Sequence, residues 1–193
     1  MLSAVGCLVA VQVSVVLTRL EAPPVLNSPV YSLATTTNEG RTNMNILTYA
    51  TPCGVSPRLW AVSLFRKTQT HKNFMREGAG VLQLLSREHA QLVHSLGGLS
   101  GDDIDKASAC AKAGFAWLDL EQSHNEQILP GCVAYLRLVQ VGEPIDAGEH
   151  DLVVCRVESF ALADSPPPQD ALSSAHLRAA GLITDKGRAV API

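Results

Sequence analysis

A chain of 193 residues, 47% hydrophobic and 17% charged, is long and apolar enough to bury one sizeable core, which excludes an intrinsically disordered protein. A formal net charge of −3 and a pI near 6.0 give no basic field for nucleic acid or an anionic membrane surface, so neither is expected as a partner and a small molecule is the better expectation. The five cysteines, Cys7, Cys53, Cys110, Cys132 and Cys155, are scattered, odd in number and without a CxxC pair; they read as reduced thiols, mostly buried, in a soluble protein of a reducing compartment that the sequence does not name.

Residues 1–27 form the first unit. Ala4 to Leu17 is an apolar run broken only by Gly6, Gln12 and Ser14, too short for a spanning helix and lacking the basic flank of a secretory signal. Two readings stand: a cleaved atypical leader, or an apolar segment packing on the domain. Glu21 to Ser28, with Pro23 and Pro24, is a connector.

Residues 28–163 carry the domain. Val30 to Thr37 alternates Tyr31, Leu33 and Thr35 against Ser32, Ala34 and Thr36, and Asn38-Glu39-Gly40 turns it into a second strand over Asn43 to Tyr49 whose two faces both mix polar and apolar groups. Pro52, Gly54 and Pro57 break the pattern, and Leu59 to Phe65 resumes as a strand expected to be buried on both faces. Thr70 is the expected cap of a helix over His71 to Glu77 that ends at Gly78. A strand at Gly80 to Leu85, helices at Ser86 to Gly97 and Asp102 to Lys112, and strands at Phe115 to Leu120, Cys132 to Val141 and Leu152 to Phe160 follow. Strands with inserted helices and no regular βα alternation predict a mainly β fold with peripheral helices, a closed antiparallel barrel rather than a doubly wound sheet.

Three consecutive prolines, Pro166 to Pro168, open the last unit, 164–193, a linker and an arm with a short amphipathic helix over Ala171 to Ala180. The helix and the LITDKGRAV segment after it have no basic recognition surface, so the arm is expected to pack on its own domain or on a second subunit.

No GxSxG, HExxH, P-loop, GxGxxG or zinc-spaced Cys/His set occurs, which removes support for hydrolase, metalloprotease, NTPase and Rossmann readings, and no metal is expected. His89 and His94, five apart on what reads as a surface helix, are expected to be structural or solvated. The informative piece is Arg66-Lys67-Thr68-Gln69-Thr70, two cations and two hydroxyls directly after a strand and at a helix start. Free N–H groups, charge-assisted hydrogen bonds and the helix dipole suit that combination to a monophosphate, though a solvated turn with a capping threonine has the same composition.

Read together, four ordered stretches resemble the flavin reductase-like family, an FMN-binding split barrel: Pro29-Val30 through Thr36, Met44 to Thr51, SPRLWAVSLFRKTQTHKNF, and GEHDLVVCRVES. The resemblance implies FMN as cofactor and NAD(P)H as a possible co-substrate. It also implies a homodimer, since such barrels complete their site with a second subunit. Thr48, Tyr49, Ala50 and Thr51 match the family segment lining the flavin ring, Phe65, Lys67, Thr68 and Thr70 match the strand end and phosphate turn, and His150 matches the histidine near the flavin, the expected catalytic residue. Cys155 stands where family members often carry glycine. The function so implied is a flavin reductase-like protein passing hydride from NAD(P)H to bound or exchangeable flavin. A non-catalytic flavin-binding or electron-transfer module on the same barrel is the alternative, and a barrel holding heme or pyridoxal phosphate a third.

Overall fold

The computed structural model describes residues 26–101, 104–120, 126–162 and 170–191; the apolar run at 4–17, Cys7, His124 and the prolines at 166–168 lie outside them. The strands are β1 (Tyr31–Thr36), β2 (Thr42–Leu47), β3 (Ala50–Val55), β4 (Arg58–Phe65), β5 (Ala79–Leu84), β6 (Leu118–Asp119), β7 (Gln127–Ile128), β8 (Ala134–Gln140), β9 (Ile145–Ala147) and β10 (His150–Leu162), and the α-helices are α1 (Gln69–Glu77), α2 (Lys106–Lys112) and α3 (Ser174–Ala179).

One antiparallel sheet runs in the order β2-β1-β5-β8-β10-β4-β3, with β9 attached to β10. Its first and last strands are consecutive in the chain, joined only by Thr48 and Tyr49. A link that short reaches about 10 Å from Leu47 to Ala50, so the sheet must curl until its two ends adjoin. This is the expected mainly β, antiparallel architecture with helices at the periphery.

The curled sheet has two apolar sides. Inside lie Tyr31, Leu33, Val62, Leu64, Leu82, Leu138, Val153 and Cys155, plugged by Phe74 of α1, which is fully buried. Outside, Ala34, Met44, Val81 and Leu85 pack under residues 92–96, α2 and the arm, whose Leu172, Leu177 and Ile183 belong to the same cluster. The helices therefore cover the outer side of β1, β2 and β5. At Gly80 a Cβ would meet Ala34 O at 2.7 Å, so only glycine lets β5 lie this close to β1.

Helix α1 is fixed at both ends. Thr68, with extended φ −101° and ψ 149°, caps it, its Oγ1 accepting the His71 N–H at 3.1 Å, while Gly78 ends it in the left-handed region at φ 65°. The cap is thus Thr68, two residues before the expected Thr70. Thr70 is buried, 1% exposed, and its Oγ1 accepts from Asn43 Nδ2 at 2.9 Å. Asn73 Nδ2 donates to Thr35 Oγ1 at 3.1 Å and Gln69 Nε2 to Asn73 Oδ1 at 2.7 Å, so a polar seam joins α1 to β1 and β2 and accounts for Asn43 among the polar positions of β2.

Other expectations shift. β3 runs through Pro52 and Gly54, read above as breakers, because it is a sheet-end strand with a bulge between them. β4 is buried on one face only. Residues 86–97 form a 3₁₀ turn (Arg87–Leu92) and a π turn (His94–Gly98) rather than a surface helix; His89 is fully buried. α2 starts at Lys106, capped by Asp105, and the strand expected over Phe115 to Leu120 is reduced to β6, paired with β7.

Candidate functional site

Alternation along β4 separates its faces. Val62 and Leu64 point into the barrel, 0% and 2% exposed; Ala61, Ser63 and Phe65 point outward and are half-buried. Register carries that outer face across the neighbours: Leu152 lies opposite Ser63 and His150 opposite Phe65 on β10, and Thr51 lies opposite Ala61 on β3. Ser63 N–H donates to Tyr49 O at 2.9 Å, placing Tyr49 in the same row. Paired residues project to one side of a sheet, so Tyr49, Thr51, Ala61, Ser63, Phe65, His150 and Leu152 share a face that the helices leave uncovered.

A cleft of about 400 Å³ opens on this face, lined by Thr48, Tyr49, Ala50, Thr51, Ala61, Ser63 and Leu152 together with a wall of Asn27, Ser28 and Pro29. That size is within the range of small-molecule sites. The His150 ring packs 5.2 Å from Phe65 and 5.8 Å from Tyr49, and among the described residues its nitrogens have no hydrogen-bond partner. Thr48, Tyr49, Ala50, Thr51, Phe65 and His150 are therefore brought together.

Two residues beyond Phe65 along the chain comes the basic turn. Lys67 is exposed and unpaired among the described residues. The Thr68 hydroxyl is engaged, donating to Phe65 O at 2.8 Å and accepting from His71 N–H. Thr70 turns its hydroxyl inward to Asn43, leaving only its backbone at the helix start. Arg66 is committed elsewhere: it donates to Asp151 Oδ1 at 2.6 Å and pairs with Asp146 at 3.1 Å. The cation free for an anion at this turn is Lys67, whereas the sequence offered two.

Sequence reasoning missed three groups. Ala61 and Ser63 carried a readable signal, small residues at alternate positions of a strand ending in an aromatic, whereas Leu152 comes beside them only through the β10–β4 register. Residues 27–29 carried none. The Asp151 cluster was also missed: its carboxylate accepts from Arg66 and from His71 Nε2, the latter at 2.7 Å, and Arg66 first, then His71, holds Asp151 down at about 2. Cys155 faces the barrel interior, where burial raises its thiol to about 12, so it is neither at this face nor a nucleophile. Of the remaining cysteines Cys53 is exposed and Cys110 and Cys132 are buried.

Acid should weaken the fold in two windows. Burial lowers the pKa of His89, whose Nδ1 accepts from Ser86 N–H at 3.1 Å and whose Nε2 donates to Pro130 O at 2.9 Å. The unfolded chain takes up that proton near pH 6.5 while the native ring stays neutral, so stability falls as pH drops below about 6.5. Asp151 is depressed in the folded state, so its contribution is full above about pH 4 and is lost as pH falls towards 2. Urea midpoints across pH 7 to 2 should decline in both windows, and Asp151→Asn should flatten the lower one alone.

A second groove, about 1280 Å³, lies between the β1–β2 turn, α1 and α2, lined by Arg41, Lys72, Arg76 and Asp119 among others, and holds none of the expected ligand-binding residues. Among the described residues no helix is long and apolar enough to cross a membrane and no His, Cys, Asp and Glu group is placed to hold a metal ion.

Among the described residues, one face of this antiparallel β architecture carries a ligand-sized cleft, an aromatic cluster and, close by, a basic helix start. The chain belongs to the flavin reductase like domain family, whose profile matches residues 25–179. Similar solved structures include an FMN-binding protein from Thermus thermophilus with bound 1-cyclohex-2-enone (23% identity, 91% of this chain and 86% of that one, TM-score 0.63). Flavoredoxin of Desulfovibrio vulgaris (Miyazaki F) is 18% identical over 91% of this chain and 83% of its own, with a TM-score of 0.65. The styrene monooxygenase flavin reductase of Pseudomonas putida S12 is 18% identical over 74% and 84%, with a TM-score of 0.61. No curated protein sequence matches the chain.

Proposed function

We propose that the chain is an FMN-binding flavin reductase that passes hydride from NAD(P)H to flavin, with the cleft on β3, β4 and β10 as the ring site. The observation that carries this reading is the alignment, along one outward strand face, of a cleft, the Phe65–His150–Tyr49 cluster and then the Lys67 turn. The residues fit the cofactor chemically. A flat ring with polar edges suits a shallow cleft of small residues and backbone groups, and a phosphate suits a lysine beside an α-helix start. When bound, flavin supplies hydride acceptance and redox chemistry. The chain's own residues bind, orient and shield: Ala61 and Ser63 leave room for the ring, Phe65 and Tyr49 exclude water from its neighbourhood, and Lys67 fixes the phosphate. His150, with both ring nitrogens unpartnered among the described residues, is the group able to hold a proton or orient a nicotinamide carboxamide at the open side.

The uncovered face also supports the homodimer. Tyr49 on it is 64% exposed, and away from it, around the β3–β4 hairpin and the end of β10, Val55, Phe160 and Leu162 are 90%, 64% and 66% exposed, more large apolar surface than a monomer needs to leave in water. A second copy over this face would close the cleft, and sedimentation at micromolar concentration should give twice the chain mass.

The test is direct. Purified protein should carry or take up flavin, and with FMN present it should oxidise NADH or NADPH, with turnover lowered about 10²-fold or more in His150→Ala, the lower end of a general acid–base contribution. Protein that binds FMN but consumes neither nucleotide, and is indifferent to His150→Ala, is a carrier instead. Protein that takes up no flavin overturns the reading altogether.

The phosphate turn has its own prediction. Lys67→Ala should weaken FMN about tenfold, the loss of one charge-assisted hydrogen bond of roughly 1.5 kcal/mol, and leave riboflavin unchanged in fluorescence titrations. Equal losses for both ligands would contradict a phosphate contact at Lys67.

A further inference from the structure

The wall formed by Asn27, Ser28 and Pro29 faces the cleft, yet what holds it is at the other end of the chain. Ser174, the first residue of α3 and 5% exposed, accepts the Ser28 N–H on its Oγ at 3.0 Å, donates from Oγ to Leu26 O at 3.2 Å, and donates its own N–H to Ser28 O at 2.9 Å. Arg178 Nη2 donates to Leu26 O at 3.0 Å, and Val30 N–H donates to Leu172 O at 2.9 Å. Residues 26–30 are thereby laced onto 172–178, and Leu172 and Leu177, 1% and 2% exposed, anchor that segment in the outer core.

One further bond gives the wall a chemical direction. Ala175 N–H donates to Asn27 Oδ1 at 3.1 Å. A backbone N–H needs an acceptor, so it fixes which end of the Asn27 amide is oxygen, and the opposite end is a donor. Among the described residues Nδ2 has no partner, and it belongs to a residue that lines the cleft. A neutral, oriented amide donor matches a ring carbonyl oxygen better than it matches a phosphate, whose charge calls for a cation such as Lys67.

We propose that Asn27 is a ligand-binding residue of the cleft, its side-chain amide donating to a carbonyl oxygen of the flavin's pyrimidine ring, and that the C-terminal arm positions it through Ser174 and Ala175. This rests on the flavin reading of the cleft. It gives the arm beyond the proline linker a part in the site: Ser174 is a positioning residue that touches no ligand, and Asn27 is the contact.

Two substitutions separate the contact from the clamp. Asn27→Asp keeps an oxygen for the Ala175 N–H and removes the donor; Asn27→Ala removes both, at an exposed position where folding is little affected. Wild type and variants are titrated with FMN, riboflavin and lumiflavin by quenching of flavin fluorescence, with circular dichroism melts to verify the fold. Both variants should bind all three ligands about tenfold more weakly, since all three carry the same ring, in contrast to the FMN-only loss in Lys67→Ala. Ser174→Ala should weaken all three in the same sense, and its effect should vanish in the Asn27→Ala background, because a residue acting through another is not additive with it. Wild-type lumiflavin affinity in both Asn27 variants, or a loss confined to FMN, overturns the contact. A Ser174→Ala effect that persists undiminished without Asn27 overturns the positioning role. Wild-type protein that binds none of the three ligands overturns the flavin reading itself, a distinct failure visible before any variant is made.

Discussion

Replacing Ser63 by tryptophan should abolish flavin binding while leaving the barrel folded. Ser63 lies in the middle row of the cleft, opposite Leu152 on β10 and bonded through its N–H to Tyr49 O. Its side chain points away from the barrel interior that Val62 and Leu64 fill. An indole there occupies the space proposed for the ring, and the rigid strand around it has no slack to reopen the cleft. The expected loss is on the order of a hundredfold or more for FMN, riboflavin and lumiflavin alike, about 3 kcal/mol, the upper end of what overpacking costs. Because the outer face is half-exposed, the melting temperature should move little. Fluorescence titration reads the first effect and a circular dichroism melt the second. Ser63→Ala, which enlarges the cleft slightly, is the control and should bind near wild type. Retention of wild-type flavin affinity in Ser63→Trp would falsify the assignment of the ring to this cleft.

The contrast between what alternation reveals and what it hides runs through the whole molecule. β1 was legible because its aromatic, β-branched and small residues run straight into a turn, and both its faces are buried by different clusters, Tyr31 and Leu33 inside and Ala34 outside, with Ser32 and Thr35 buried among them. β4 is more apolar, for another reason. Its outer face is half-covered, awaiting a ligand or a second copy in the proposed reading, and a single chain's sequence cannot distinguish burial by its own helices from burial by something else. β3 failed differently. Pro52 and Gly54 are poor strand residues in general, but Pro is tolerated where one strand edge lacks a ladder partner, and a bulge takes up the irregularity. Position in the sheet decides that, and position in the sheet is not local information.

The candidate site was legible to the same extent. Thr48 to Thr51 and Phe65, Lys67, Thr68 and Thr70 were singled out because the strand–turn–helix order is local and matches a family pattern. His150 was singled out by resemblance, but its place between Phe65 and Tyr49 depends on the β10–β4 register, which composition does not contain. Thr70 and Arg66 illustrate the limit. Both have the right chemistry for an anion, and both are diverted by partners far along the chain, Asn43 for one and Asp151 for the other. Asn27 lay beyond reach, since only the fold brings it to Ala175.

Phe74→Ala should act on stability where Ser63→Trp acts on binding. Phe74 is fully buried and is the side chain through which α1 enters the barrel interior. Truncating it removes that apolar surface and leaves a void among Leu33, Leu82 and Val153, at a cost of about 3–5 kcal/mol, a large share of the roughly 5–15 kcal/mol that holds a typical domain together. Relief from the neighbouring strand is blocked: Gly80 lies beside the ring, but a Cβ added there meets the Ala34 carbonyl before it could fill anything. Urea denaturation should therefore show a midpoint lowered with little change in slope. Flavin binding links the two substitutions. A ligand that binds only the folded chain stabilises it by about 2.7 kcal/mol at a hundred times its dissociation constant, so the same FMN concentration should recover much of the deficit in Phe74→Ala and should leave the stability of Ser63→Trp unchanged. Since α1 also presents the Lys67 turn, the recovery should be larger with FMN than with riboflavin at equal concentration. Identical recovery by both ligands would mean that the helix start contributes nothing to holding the phosphate.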